Sequence, residues 1–118
     1  NESLQIIVNQ EEAIMFFDNK PDVVKNIKVI EWLKADLLGS TSSLFKAMLR
    51  GSEERLLDAL AGIILTCYVL GRRLGINSSR LDLRIEAKLR QGIDDSHEVE
   101  KWYGDLSSLL KYMTDKKR

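Results

Sequence analysis

The sequence predicts an all-α fold, a compact bundle of four to five helices that follows an N-terminal extension. Beyond residue 20, apolar residues recur at steps of three and four, which is the spacing of one helix face. Residues that cap and end helices stand between these stretches. With 118 residues the chain is long enough for one domain with its own core. We therefore expect an extension over residues 1–20 and a helical domain over residues 21–118.

The clearest helix lies between Ser52 and Ile76, and the rest of the chain is expected to pack around it. Ser52 is a good N-cap because its hydroxyl can accept hydrogen bonds from free backbone N–H groups of the first turn. Gly75 can take the left-handed conformation that ends a helix. No charged residue occurs from Ala59 to Leu70, which predicts a helix buried at the centre of the fold.

Another helix is expected before it, starting at Pro21, since proline fits the first turn of a helix. Its apolar face contains Val23, Ile27, Ile30, Leu33 and Leu37. Residues 39–43 (GSTSS) weaken a helix interior and predict a local break. The helical pattern resumes up to Arg50, and the short turn that follows makes this segment an antiparallel neighbour of the central helix.

Two further helices are expected toward the C-terminus. Ser79, with Asp82 three residues on, resembles a capping box for a helix that ends near Gly92. The last helix is expected to start near Asp94 and to present a broad buried face. That face consists of Val99, Trp102, Tyr103, Leu106, Leu109, Leu110 and Met113.

The N-terminal extension contains two short apolar runs, residues 4–8 and 13–17. A small β-hairpin and a short amphipathic helix are both compatible with them, and the hairpin is slightly favoured. Because an isolated hairpin is marginal in water, these residues must pack on the body of the domain or on another subunit.

The charge balance of 18 basic and 18 acidic residues argues against a nucleic-acid partner bound through a basic surface. No signal peptide or transmembrane run is visible, so we expect a cytoplasmic protein without a membrane partner. The single cysteine, Cys67, is expected to be a small buried hydrophobe. The single histidine, His97, is expected to be exposed in the first turn of a helix.

A resemblance to a known family is carried by residues 26–76, NIKVIEWLKADLLGSTSSLFKAMLRGSEERLLDALAGIILTCYVLGRRLGI. They resemble the core of MazG-like proteins, in the all-α nucleoside triphosphate pyrophosphatase superfamily. Residues 81–93 (LDLRIEAKLRQGI) resemble the helix that follows in that family. The most specific feature is the order of LFKAML, a short turn, an acidic helix start and RRLGI.

The resemblance implies a particular chemistry. Enzymes of the superfamily carry E-x-x-E on one helix and E-x-x-D on the next, and these carboxylates hold magnesium, which positions water against the α-phosphate of a nucleotide. Residues i and i+3 share a helix face, so two such pairs on antiparallel helices converge on one point. Magnesium suits this arrangement because it takes only oxygen ligands and gains most from anionic ones.

This sequence departs from that pattern at every matching position. Placing SLFKAM on ELFKAI and LLDALAG on LLDELAD gives, as the matching residues, Ser40, Ser43, Ala59 and Gly62. None has a carboxylate, so we expect no catalytic residues, no bound metal and no cofactor. The chain is interpreted as a catalytically degenerate relative that acts by oligomerisation, ligand binding or partner binding. The alternative is an active divalent-metal-dependent nucleoside triphosphate pyrophosphohydrolase with a non-standard metal site, which alone would need Mg²⁺.

The resemblance also leaves a residual site open, although small residues at these positions equally suit close helix packing with no site. Such a site would use Asp36, Glu54 and Asp58, and its phosphate contacts would be Arg72, Arg73, Lys88 and Arg90. Each of these basic residues has the alternative role of capping a helix C-terminus. A nucleotide is a possible ligand. We also expect a homo-oligomer, a dimer or a tetramer, because a largely apolar helix needs more cover than few helices provide.

Overall fold

The computed structural model of the protein describes residues 21–116. This part of the chain contains five helices and no strand: α1 Pro21–Arg50, α2 Glu53–Arg73, α3 Ser78–Asp94, α4 Glu98–Tyr103 and α5 Asp105–Lys116. The predicted all-α fold of four to five helices is confirmed. The predicted hairpin falls outside the described residues, and the domain boundary after residue 20 stays a prediction.

The helices belong to two compact units, Asn1–Ile76 and Asn77–Arg118. In the first unit, α1 and α2 pack against each other as a helical hairpin. In the second unit, α5 packs on α3 and on α4. None of the helices within residues 21–116 is long and apolar enough to cross a membrane.

The ends of α2 are those that the sequence predicts. The Ser52 hydroxyl caps the helix by accepting a hydrogen bond from the backbone N–H of Arg55 at 3.4 Å. At the other end Gly75 is left-handed, with φ +88°, and the backbone N–H of Ile76 donates to the Gly71 carbonyl oxygen at 2.8 Å. This is the long hydrogen bond of a Schellman motif, which satisfies a free carbonyl of the last turn.

α1 is continuous through residues 39–43, so the predicted break is wrong. Thr41 Oγ1 donates to the carbonyl oxygen of Leu37 at 2.8 Å, and its hydroxyl is thereby satisfied within the helix. Gly39 costs a helix about 1 kcal/mol relative to alanine. The packing of α1 on α2 outweighs this low local propensity.

α2 is less buried than the sequence predicts. Its buried residues are Ala59 and Thr66, whereas Cys67 is exposed. The predictions of a helix buried at the centre and of a buried Cys67 are therefore wrong for the described chain. The physical reason is that a hairpin covers only one face of each of its two helices.

In the second unit, α3 begins after Asn77, two residues before the predicted cap at Ser79. The Asn77 side-chain oxygen accepts a hydrogen bond from the backbone N–H of Arg80 at 2.9 Å. The capping box predicted from Ser79 and Asp82 does not start this helix. Asparagine is as good a cap as serine, because its side-chain oxygen also accepts a hydrogen bond from a free backbone N–H of the first turn.

The predicted last helix is in fact two helices. His97 is exposed, as predicted, and caps α4 through Nδ1, which accepts from the backbone N–H of Val99 at 3.1 Å. α4 ends at Gly104, whose φ of 66° is left-handed. Trp102 and Tyr103 are 67% and 72% exposed. No residue of α4 or α5 is buried. The predicted broad buried face is therefore wrong along its whole length, and the turn at Gly104 interrupts the helical spacing from which it was predicted.

Candidate functional site

Ser40 on α1 and Gly62 on α2 meet where the two helices of the hairpin cross. A Cβ atom built on Gly62 would stand 3.1 Å from Ser40 Oγ and 3.8 Å from Ser40 Cβ. Moving one turn along both antiparallel helices pairs Ser43 with Ala59, and both of these residues line one groove. The four positions that match the metal ligands of the superfamily are therefore neighbours across the hairpin.

The groove opens between this crossing and the turn that joins α1 to α2. Its volume is about 530 Å³. It is lined by Ser43, Lys46, Ala47, Arg50, Glu54, Arg55, Asp58 and Ala59. Three of these side chains are cationic and two are anionic, so the groove carries an excess of positive charge.

Helical spacing places two of the cations on one face of α1 and the two carboxylates on one face of α2. Lys46 and Arg50 are four residues apart and share one face of α1, while Glu54 and Asp58 share one face of α2. All five charged side chains of the groove are exposed. Within residues 21–116 none of them forms an ion pair or a side-chain hydrogen bond. Their charges are available to a ligand.

A comparison with known families identifies the class to which the chain belongs. The model of the MazG-like family matches residues 23–106, well over half of the chain. The chain belongs to the MazG-like family. No curated protein and no solved structure matches it significantly. The resemblance read from residues 26–76 and 81–93 is thus confirmed, and the match continues through α4 into the start of α5.

The described residues of this MazG-like protein do not fit the magnesium site of the superfamily. Ala59 and Gly62 offer no side-chain oxygen, and the hydroxyls of Ser40 and Ser43 are neutral, weak ligands for a hard cation. At Gly62 the helices also approach closely, with 3.1 Å from its Cβ position to Ser40 Oγ. Among residues 21–116, no three histidine, cysteine, aspartate or glutamate side chains form a group that could hold a metal ion.

The three carboxylates predicted for a residual site are not brought together. Glu54 and Asp58 line the groove. Asp36 precedes Ser43 by about 10 Å along α1, at 1.5 Å per residue. Arg55 lines the groove and does not neutralise Asp36, which forms no ion pair among the described residues.

The four basic residues predicted to contact phosphate lie elsewhere. Arg72 and Arg73 are in the last turn of α2, about 20 Å or more along the helix from the groove. The Asn26 side chain donates to the Arg73 carbonyl oxygen at 3.0 Å, so this end of the hairpin is tied to α1. Lys88 and Arg90 are exposed on α3, in the second unit.

The sequence reasoning missed the three cations of the groove: Lys46, Arg50 and Arg55. The signal was present, because Lys46 and Arg50 follow Ser43 on one face of α1 at helical spacing. The short turn after Arg50 reverses the chain, so that Arg55 lines the same groove as Lys46 and Arg50. Extending the pairing of Ser43 with Ala59 by one more turn leads directly to these residues.

Proposed function

We propose that this MazG-like protein binds a phosphate-bearing small molecule, such as a nucleotide, in the groove between α1 and α2. We further propose that it does not hydrolyse nucleoside triphosphates by the metal-dependent route of its superfamily. One observation carries this proposal. Lys46, Arg50 and Arg55, which have no ion-pair partner among residues 21–116, line the groove beside Ser43 and Ala59, where the superfamily pattern requires carboxylates.

The cations of the groove suit phosphate for a simple physical reason. A guanidinium group offers a planar fork of N–H donors that matches two phosphate oxygens, while a lysine ammonium acts as a point charge. Because Lys46, Arg50 and Arg55 are exposed, water and salt reduce what each contact contributes. A ligand with two or three linked phosphates contacts several cations at once and offsets this weakness.

The two carboxylates of the groove narrow the ligand class. Glu54 and Asp58 repel an isolated phosphate, but they accept hydrogen bonds from N–H and O–H donors. The charge pattern therefore favours a molecule that joins phosphate groups to hydrogen-bond donors, as a nucleotide does with its sugar and its base.

The second candidate function is an active divalent-metal-dependent nucleoside triphosphate pyrophosphohydrolase with a non-standard metal site. It is favoured by Glu54 and Asp58, which stand one turn apart in the same groove. Magnesium often keeps several waters and binds through only one or two carboxylates together with substrate phosphates. Two carboxylates in one groove meet this requirement, and the three cations beside them would contact the substrate phosphates.

A phosphate-release assay separates these two candidates. Canonical and modified nucleoside triphosphates are offered with magnesium or manganese, and we expect no turnover above that of a no-protein blank. Metal-dependent release of pyrophosphate that is lost in Asp58→Asn and Glu54→Gln would contradict the first candidate and establish the second.

Equilibrium binding of nucleoside triphosphates tests the groove itself. We expect Lys46→Ala combined with Arg50→Ala to weaken binding by about tenfold or more, the effect of losing about 1.4 kcal/mol. The matched control removes two cations elsewhere on the hairpin, Arg72→Ala with Arg73→Ala, and should bind like the native protein. If only the control variant loses binding, the phosphate contacts predicted from the sequence are right and the groove is wrong.

The sequence also led to expectations about assembly, location and partners, which we keep as proposals. We propose a homo-oligomer, dimer or tetramer, located in the cytoplasm, with no nucleic-acid or membrane partner. The balanced charge supports the absence of nucleic acid.

A further inference from the structure

The groove between α1 and α2 supplies its own positive charge. Lys46 and Arg50 line it from α1, and Arg55 lines it from α2. In the part of the chain that the structure describes, none of these three side chains forms an ion pair. In enzymes of the superfamily, carboxylates hold magnesium, and the metal faces the phosphates. Here cationic side chains would face the phosphates directly.

The lining of the groove offers few ligands to a metal ion. Its most deeply buried residues are Ala47 and Ala59, which are 3% and 5% exposed and have no side-chain oxygen. The Ser43 hydroxyl is neutral, whereas Mg²⁺ gains most from anionic oxygen ligands. The carboxylates of Glu54 and Asp58 are exposed. A divalent cation that reaches them is also repelled by the three cations of the same groove.

The start of α2 does not attract the phosphates away from these cations. The Ser52 hydroxyl accepts a hydrogen bond from the backbone N–H of Arg55 at 3.4 Å, so this helix end is already capped. Glu53 and Glu54 stand in the first turn, and their negative charge opposes an anion at the helix N-terminus. A chain of phosphates is therefore directed to the cationic side chains that α1 presents.

We propose that the groove binds linked phosphates without magnesium, and that magnesium competes with the groove for them. This inference rests on the proposed function and names the form of the ligand, which is the metal-free polyphosphate. A magnesium ion on a nucleotide occupies phosphate oxygens and cancels part of their negative charge. Guanidinium and ammonium groups donate to the same oxygens. The magnesium complex of the ligand is therefore the weaker binder.

Free magnesium then regulates how far the groove is filled. When magnesium exceeds the nucleotide, most of the ligand is held as its magnesium complex and little of it occupies the groove. When the nucleotide exceeds magnesium, the metal-free form accumulates and binds by mass action. An enzyme that takes a magnesium nucleotide as its substrate responds in the opposite direction. The sign of the magnesium effect therefore separates the two candidate functions.

Isothermal titration calorimetry of the full chain with ATP measures this sign. One buffer is freed of divalent ions by a chelating resin, and the other contains a saturating excess of magnesium chloride. Sodium chloride equalises the ionic strength, because salt itself screens exposed charges. We expect magnesium to raise the dissociation constant by about tenfold or more, the effect of losing about one hydrogen bond between charged groups. Inorganic tripolyphosphate should show the same rise, since it offers the phosphates alone.

Variants of the cations assign the magnesium effect to the groove. Lys46→Ala with Arg50→Ala should weaken metal-free binding more than binding in magnesium, so that the ratio of the two dissociation constants approaches one. Arg50→Ala alone serves where the double variant binds too weakly to measure. The matched control, Arg72→Ala with Arg73→Ala, removes two cations from the last turn of α2 and should keep the native ratio. Circular dichroism establishes that each variant keeps its helices.

A variant of the two carboxylates tests the same sign from the other side. Glu54→Gln with Asp58→Asn should tighten metal-free binding of ATP, because it removes negative charge from the groove. Magnesium should still weaken the binding of ATP to this variant. If magnesium instead tightens binding to the native protein, and the variant loses this gain, the carboxylates hold the metal and the inference is overturned.

The outcomes separate this inference from the proposed function. ATP binding that is equal or tighter in magnesium overturns the inference and leaves ligand binding in the groove standing. A magnesium effect that is as large in the variants of Lys46 and Arg50 as in the native protein also overturns it, because the groove is then not its source. The absence of ATP binding in both buffers overturns the proposed function and this inference together.

Discussion

At the scale of single residues, Ser40 and Gly62 set how closely α1 and α2 cross. Their contact, 3.1 Å from the Cβ position of Gly62 to Ser40 Oγ, is possible because one residue has no side chain and the other has a short one. Small residues at these two positions supply no carboxylate, and they let the two helices cross closely.

Two glycines inside the helices of the hairpin, Gly39 and Gly62, test this contact. Gly39→Ala should stabilise the protein by about 0.5–1 kcal/mol, the usual gain in a helix interior, because nothing lies within 4 Å of its Cβ position. Gly62→Ala should gain less, because its Cβ would press on Ser40 Oγ. Combining Gly62→Ala with Ser40→Ala should restore the gain. Urea unfolding measures all four proteins, and equal gains for the two single glycine variants would show that α1 and α2 do not meet at Ser40.

Restoring the four carboxylates tests the site that the superfamily pattern implies. Ser40→Glu, Ser43→Glu, Ala59→Glu and Gly62→Asp together should destabilise the fold through crowding, at about 1–3 kcal/mol, and through charge repulsion. Magnesium or manganese should recover the repulsive part. The matched variant with glutamine and asparagine is equally crowded but gains nothing from metal. Destabilisation without any response to metal would mean that the pairing of positions is wrong.

The native protein is a second control for the metal response of the variant with four carboxylates. Millimolar magnesium should leave its melting temperature nearly unchanged, because a ligand stabilises the native state only in proportion to its occupancy. A rise of several degrees that only divalent ions produce would show that Glu54 and Asp58 hold a metal after all.

At the scale of helices, the sequence predicted the helix ends that depend on local chemistry. It mispredicted the features that depend on contacts with other helices. Ser52 and Gly75 end α2 as predicted, because capping is decided within one turn. Residues 39–43 remain helical because α1 rests on α2, a contact that local propensity does not contain. Gly104 divides the last helical segment because it adopts a left-handed conformation. The apolar residues keep a helical spacing across Gly104, so the sequence pattern did not indicate this break.

Glu100 links α4 to α5 and makes the start of α5 sensitive to pH. Its carboxylate accepts hydrogen bonds from the Ser107 hydroxyl and from the Ser107 backbone N–H, the latter at 3.1 Å. These bonds, the hydroxyl first, hold the pKa of Glu100 below its usual 4.5. A lowered pKa stabilises the folded state above the unfolded pKa, and this contribution is lost as the pH falls from about 4.5 through the folded value.

Ser107→Ala should therefore raise the pKa of Glu100 toward 4.5, because it removes the first of these bonds. It should also weaken the acid dependence of the first turn of α5. A titration followed by the side-chain carboxyl resonance of Glu100 measures the shift. Ser108→Ala, in the same turn but without a bond to Glu100, is the control, and an equal shift in both variants would contradict the assignment.

At the scale of the whole molecule, the hairpin separates two surfaces that the sequence treated as one core. The apolar run of α2 predicted burial, whereas several of its large side chains are exposed: Leu57, Leu60, Ile64 and Leu65. It could not show that α1 covers only the side of Ala59 and Thr66. Likewise, the superfamily pattern located the crossing of Ser40 with Gly62 but not the cations beside it. These cations lie in one groove only because the turn between α1 and α2 brings Arg55 beside Lys46 and Arg50.

Removing the N-terminal extension distinguishes the two surfaces that the sequence offers for assembly. A chain that starts at Pro21 should keep the oligomer mass of the full chain if the exposed apolar residues of α2 form the interface, because Leu57, Leu60 and Ile64 all remain. Light scattering over a dilution series measures this for both chains, and circular dichroism establishes that the shorter chain keeps its helices. The melting temperature of both should rise with protein concentration, because association stabilises the folded state by mass action. A shorter chain that is helical but monomeric would assign the oligomer to residues 1–20, which the sequence also predicted to pack on another subunit.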